Sequence, residues 1–277
     1  MTLDGRPSQV DASGQAVDVP RAPARLVSLV PSVTETLFAL GLGDRVVGTT
    51  DWCIHPADGV AGTRRVRGTK NPDVEAIAEL APDLVIANLE ENREIDVRRL
   101  RERGIAVWVD FPRTVDDAIA QVRWLAALGA DGSVAAGVIG AIEDAVRAAR
   151  AARPRRPLLG FVAVWKDPWM TLARDTYAHD LLALAGIANL YADSSDRYPR
   201  VTLADVAAHA PEVVLLPDEP YRFTNADARE LAGGALADTP AARTGRIAVI
   251  DGTLPFWHGP RLVAALAELQ RLTADRA

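Results

Sequence analysis

The sequence predicts an α/β fold in which parallel sheets are covered by helices, and two observations carry that expectation. Short apolar runs suited to buried strands alternate along the chain with helical patterns, the order that parallel sheets require. The segment RLVSLVPSVTETLFALG (25–41) shows one such unit in miniature. Residues 26–30 are almost wholly apolar and partly β-branched, as in a strand buried on both faces. Beyond Pro31 the apolar spacing becomes helical: Leu37 and Leu40 recur one turn apart and Gly41 supplies the stop. Ser32 and Glu35 have the S-x-x-E spacing of a capping box. Such strand-to-helix junctions lie at the carboxyl edge of a parallel sheet, where ligands bind. Ser32 is therefore a candidate ligand contact as well as a candidate cap.

The remaining strands are expected at 45–50, 83–88, 106–111, 157–165, 212–217 and 246–251, where apolar and β-branched residues cluster between turn residues. Helices are expected at 72–80, 94–103, 114–128, 176–185, 202–209, 226–232 and 260–274. One segment breaks the alternation: GSVAAGVIGAIEDAVRAARAAR (132–153) is alanine-rich, helical and follows another helix without a strand between. Such a helix either caps a first lobe or bridges two lobes. An internal echo favours two: VEAIAELAPDLVIA (74–87) and LADVAAHAPEVVLL (203–216) share a helix, an Ala-Pro-acid turn and an apolar strand. An alanine-rich helix is stiff, so it would hold the lobes nearly fixed. The boundaries that follow are an amino-terminal α/β lobe at 8–130, a linking helix at 131–154 and a carboxyl-terminal α/β lobe at 155–277.

A net charge of −6 argues against nucleic acid as a partner. The basic clusters RRVR (64–67) and RPRR (153–156) read as solvated surface or helix-end charge. With the single cysteine, Cys53, no internal disulfide can form. No apolar run approaches the ~18–20 residues that span a bilayer, and MTLDGRPSQVDASGQ lacks the basic start and apolar segment of a secretory signal. The sequence as written carries no export address, which leaves a cytoplasmic location open.

Signatures of catalysis and of resident cofactors are missing: there is no G-x-G-x-x-G after a strand, no G-x-x-x-x-G-K-[ST], no G-x-S-x-G and no H-E-x-x-H. Cys53 and His55 have no acid or amide placed to orient them. Of the four histidines, His179 and His209 fall in or at the end of helices and read as structural, whereas His55 and His258 lie in loops after strands. Two imidazoles of unknown separation do not make a metal site, and none is assigned.

The aromatic residues are more informative. Trp52, Trp165, Trp169, Tyr198, Tyr221, Phe256 and Trp257, with Phe111 and Phe223, fall at strand ends or in loops, outside helix interiors. Gathered along the carboxyl edges of sheets they would line an apolar cleft suited to a large flat or bulky ligand. Thr69, Lys70, Asn88, Glu90 and Asn92, with Asn71 and Glu91, would orient it.

The run VDASGQAVDVPRAPARLVSLVPSVTETLFALGLGDRVVGTT, followed by NPDVEAIAELAPDLVIA, GIAVWVDFPRTVDDAI and TYAHDLLALAGIANLYAD, resembles the helical-backbone binding proteins of ABC importers, those for cobalamin, ferric siderophores and haem. The resemblance covers nearly the whole chain, with V-P-S-V-T-E and L-A-P-D-L-V-I as its most specific parts. It implies two α/β lobes joined by one long rigid helix, a ligand cleft between the lobes, a monomer, no enzymatic activity and an extracytoplasmic location. Trp52 and Tyr198 fall where cobalamin-binding members place aromatic contacts. Thr69 and Asn88 stand where those members have tryptophans, and Thr253 and Trp257 replace a polar pair. The family docks to its permease through one acid per lobe: Glu75 matches the first, while Ala204 stands at the second, leaving Asp205 beside it. The expected function is binding of a corrinoid or related metal chelate. A ligand handler or α/β enzyme on the same scaffold is the alternative.

Overall fold

In the computed structural model, residues 9–274 are described; residues 1–8, which include the start of the segment read for a signal and the expected beginning of the first lobe, and residues 275–277 lie outside them. The chain divides into two compact units. One holds the residues up to Pro112 together with Asp117–Ala141; the other holds Arg113–Asp116 and the chain from Ile142 onward.

The first unit is built on five parallel strands in the order Arg64–Arg65, Val46–Thr49, Leu26–Ser28, Leu84–Asn88, Val107–Asp110. Chain order reverses between Leu26–Ser28 and Leu84–Asn88, so the crevice at the carboxyl ends of these two strands is the topological switch point. The buried apolar runs explain the arrangement: Leu26, Val27, Leu84, Val85 and Ile86 are fully enclosed, as in a sheet covered on both faces. The second unit has four parallel strands in the order Ile187–Asn189, Leu158–Val162, Val213–Pro217, Ile247–Ile250, with its own reversal between Leu158–Val162 and Val213–Pro217. Gly160 is required here, because a Cβ would come 2.2 Å from the Ile187 side chain on the neighbouring strand.

The α/β class with parallel sheets and flanking helices is thus what the alternation predicts. The helices expected at 94–103, 114–128 and 260–274 are found as Glu94–Glu102, Val115–Ala126 and Arg261–Thr273. The alanine-rich segment forms a 20-residue helix, Gly132–Ala151, whose buried Ile142, Val146 and Ala149 recur at helical spacing. No helix among the described residues is long and apolar enough to cross a membrane.

The internal echo has a structural counterpart. Helices Val74–Glu79 and Leu203–Ala208 are each capped by a side chain, from Asp73 and Thr202, and each is followed by a left-handed alanine, Ala81 at φ 43° and Ala210 at φ 50°. The acid after the proline does the same work in both: Asp83 accepts from the amides of Ala24 and Arg25, and Glu212 from the amide of Leu159, tying each turn to the central strand.

One expectation is corrected and another is narrowed. Ser32 does not cap its helix. The helix is Pro31–Ala39, with Val30 at the cap position and no side-chain capping bond. Proline has no N–H to satisfy and its φ is preset for a first helical position, so the helix starts before Ser32. Of the two readings of RRVR (64–67), solvated surface holds and helix end does not: Arg64–Arg65 is an edge strand, Val66 is fully buried, and the exposed arginines discourage further strand pairing.

Candidate functional site

At the switch point of the first unit a polar web fixes the loops. Asn88 ends its strand and its side-chain oxygen accepts from the amides of Glu90 (2.8 Å) and Glu91 (3.2 Å). Asn92 accepts from the Asn88 amide at 2.8 Å and donates to the carbonyls of Thr69 (2.9 Å) and Leu29 (3.4 Å). Lys70 donates to the Glu90 carbonyl. Both asparagines are buried, so their amides serve the backbone: they join the loop after Leu84–Asn88 to the tip of the hairpin formed by Arg67–Gly68 and Asn71–Pro72. Ser32 is buried, whereas Lys70 is exposed.

Beside the web stands Trp52, whose side chain is 65% exposed although its neighbour Cys53 is completely buried. Desolvation pushes the Cys53 thiol above its ordinary value, so it is an inert core group held by the hydroxyls of Thr34 and Thr50, each at 3.1 Å. Ile54 and Leu89 are also exposed on loops of this edge. Sequence reasoning passed over both; an aliphatic side chain just past a strand end was the available signal.

In the second unit the carboxyl edge is aromatic. Trp165 meets Tyr221 edge-on at 5.4 Å, Tyr221 meets Phe223 at 4.6 Å, and Phe223 stacks on Trp169 at 5.7 Å. Backbone bonds from Thr171 to Pro199, Ala173 to Arg197 and Val201 to Trp169 lay the segment carrying Tyr198 along the tryptophan loop. Trp165 and Tyr198 are the exposed members, and Arg197 lies over the Tyr198 ring at 5.8 Å. Lys166, which the sequence gave no reason to single out, anchors the loop to the helix Asn225–Gly233 through Asp227 (2.8 Å) and Glu230 (3.2 Å). The bond from Lys166 depresses the Asp227 carboxyl to about 2, and the bond to Asp227 holds the Lys166 ammonium above its ordinary value.

Phe256 closes the short helix Thr253–Phe256 after the last strand and is half-buried. Trp257 departs from the expectation of an open aromatic face. It is 6% exposed, its Nε1 donates to Glu219 Oε1 at 2.7 Å, and Arg261 lies over its ring at 5.1 Å. Burial raises the Glu219 carboxyl above its usual range.

The histidines divide between helices and loops as expected, but one of the loop pair is buried. His179 and His209 belong to helix Tyr177–Leu184 and to the end of helix Leu203–Ala208, as expected. His258 lies in a loop, as expected, but is 7% exposed with its ring edge-on to Tyr177 at 5.6 Å. Desolvation lowers its pKa to about 4 from an ordinary 6.5. The unfolded chain therefore binds the proton first as pH falls: the stability held above pH 6.5 is lost progressively down to pH 4. At pH 5 the loss relative to pH 7 is about 2 kcal/mol. His258→Phe should flatten that part of the profile, read as the pH 7 to pH 5 difference in unfolding free energy of the variant against the parent. Among the described residues no group of three or more His, Cys, Asp or Glu side chains is arranged to hold a metal ion.

Two parallel sheets, each with loops tied down at its carboxyl edge, are the frame on which open α/β proteins place ligand sites. Residues 26–254 match the periplasmic binding protein family, and the chain belongs to it. The vitamin B12-binding protein of Vibrio cholerae is 26% identical over 191 residues, 69% of this chain and 69% of that one. The ABC transporter substrate-binding lipoprotein YvrC of Bacillus subtilis is 28% identical over 267 residues, 94% of this chain and 82% of that one. The solved structure of the periplasmic heme-binding protein RhuT from Roseiflexus sp. RS-1 in apo form superposes with a TM-score of 0.77 at 27% identity, covering 90% of this chain and 97% of that one. These relatives are binding proteins, not enzymes, and the family resemblance read from the sequence is borne out.

Proposed function

We propose that this chain binds a metal chelate built on a flat macrocycle, a corrinoid or a related tetrapyrrole such as haem, as the substrate-binding component of an ABC importer. The observation that carries this reading is the exposure of flat aromatic side chains on anchored carboxyl-edge loops: Trp52 in the first unit, Trp165 and Tyr198 in the second. A rigid indole or phenol offers a macrocycle a large contact at little entropic cost. The relatives named for vitamin B12 and haem support the same ligand class. Thr69, Lys70 and Glu90 supply polar contacts at the first edge, shaped by Asn88 and Asn92 and backed by the buried Ser32; Trp169, Tyr221, Phe256 and Trp257 support the second. The protein acts as a monomer. Native mass spectrometry after exposure to cyanocobalamin, hemin and a ferric siderophore tests this: a one-to-one complex with cyanocobalamin or hemin is expected. Retention of the siderophore alone, or of none, contradicts it.

Docking to a permease rests on Glu75, with Asp205 as the weaker partner. Glu75 is exposed and pairs with Arg103, while the Asp205 carboxylate already accepts from the Tyr191 hydroxyl at 2.7 Å. Glu75→Arg places a third like charge beside Arg99 and Arg103 and opposes a basic permease surface. Import of the bound chelate in cells should be lost while affinity of the purified protein is unchanged. Asp205→Arg should have the smaller effect, and equal complete loss in both variants would show that docking is two-sided.

A further inference from the structure

We infer that Arg65 is a positioning residue that holds the backbone on either side of Trp52 fixed, so that the exposed indole is pre-organised for its ligand. The inference rests on the reading of Trp52 as a ligand contact. One guanidinium nitrogen of Arg65 donates to the carbonyl of Thr50 at 2.8 Å, to the carbonyl of Cys53 at 2.9 Å and to the Thr49 hydroxyl at 3.3 Å. The two carbonyls bracket Trp52 in sequence. The Asp51 amide donates to the Arg67 carbonyl at 2.8 Å, the Cys53 amide closes a turn onto Thr50 at 3.1 Å, and the Cys53 side chain is completely buried. Every neighbour of Trp52 is thus tied down, while Trp52 itself is 65% exposed. Its indole lies along the hairpin at Gly68, where a Cβ would stand 3.5 Å from Trp52 Nε1. The same hairpin tip is bound to the Glu90 and Asn92 loop through Thr69 and Lys70. Arg65 sits on a two-residue edge strand, and its guanidinium ties the loop carbonyls of Thr50 and Cys53 back to Thr49 at the end of the neighbouring strand. An exposed tryptophan adds little to the core, so fixing its backbone matters mainly for what stacks on it: ordering that would otherwise be lost on binding is already complete.

The test is a double-mutant cycle with Trp52→Ala and Arg65→Met, titrating cyanocobalamin and hemin separately, with hydrogen exchange of the 51–54 amides measured on the ligand-free proteins. Arg65→Met should weaken binding about tenfold in the parent and leave affinity unchanged in the Trp52→Ala background, with faster exchange at 51–54. Equal loss in both backgrounds would overturn the inference, because Arg65 would then act without Trp52. If Trp52→Ala weakens binding and Arg65→Met does not, the positioning role is wrong and the ligand reading stands. If Trp52→Ala changes nothing for a probe that binds, both fall. Unchanged exchange at 51–54 overturns the anchoring whatever the ligand. Should Arg65→Met fail to fold, Arg65→Lys, which keeps the charge but loses the guanidinium fork, is carried through the same cycle.

Discussion

Trp52→Ala is expected to weaken chelate binding by about 1–3 kcal/mol while leaving the melting temperature nearly unchanged. The asymmetry follows from burial. A side chain that is 65% exposed gives the fold little transfer free energy to lose, and its loop is held by backbone bonds that alanine keeps. Tryptophan fluorescence should also be quenched when hemin or cyanocobalamin binds, because both chromophores absorb where indole emits. Part of that quenching should vanish in the variant. Isothermal titration beside thermal unfolding checks the two halves together; a melting temperature lowered by many degrees would place Trp52 in the core.

Trp257→Ala is expected to do the opposite. Removing a side chain that is 6% exposed leaves a cavity costing about 3–5 kcal/mol. It also strips Glu219 of its 2.7 Å donor and Arg261 of the ring beneath it. Chemical denaturation should show a markedly lower midpoint, and Trp257→Phe should recover much of the loss by refilling the space. A stable Trp257→Ala protein with weakened binding would restore the open aromatic face that the sequence suggested.

The contrast between these two tryptophans shows how far the sequence carries. In the sequence both fall in loops after expected strands with nothing local to separate them, although in the structure Trp257 directly follows the short helix Thr253–Phe256. What buries Trp257 is Glu219, 38 positions earlier, and the helix beginning at Arg261. The strands and longer helices were legible because hydrophobic period is a local property: 84–88 and 94–102 were readable almost to the residue. Arg64–Arg65 and Ile187–Asn189 were not, being two and three residues long and recruited by a neighbouring strand rather than by their own pattern. Asn88 and Asn92 were legible as site polarity but not as backbone ties, since their partners at Thr69 and Leu29 lie 23 and 63 positions away from Asn92. Ser32 illustrates a local signal overruled locally, by the proline before it.

The claim that the carboxyl-edge loops bind the ligand is tested most directly by hydrogen-exchange footprinting of the protein saturated with cyanocobalamin or hemin. The account predicts slowed exchange in 50–54, 68–71 and 88–92 of the first unit and in 164–170 and 219–223 of the second, with the turns after Ala81 and Ala210, at the opposite edges, unchanged. Protection confined to those opposite edges, or saturating binding with no protection at the aromatic loops, would contradict it.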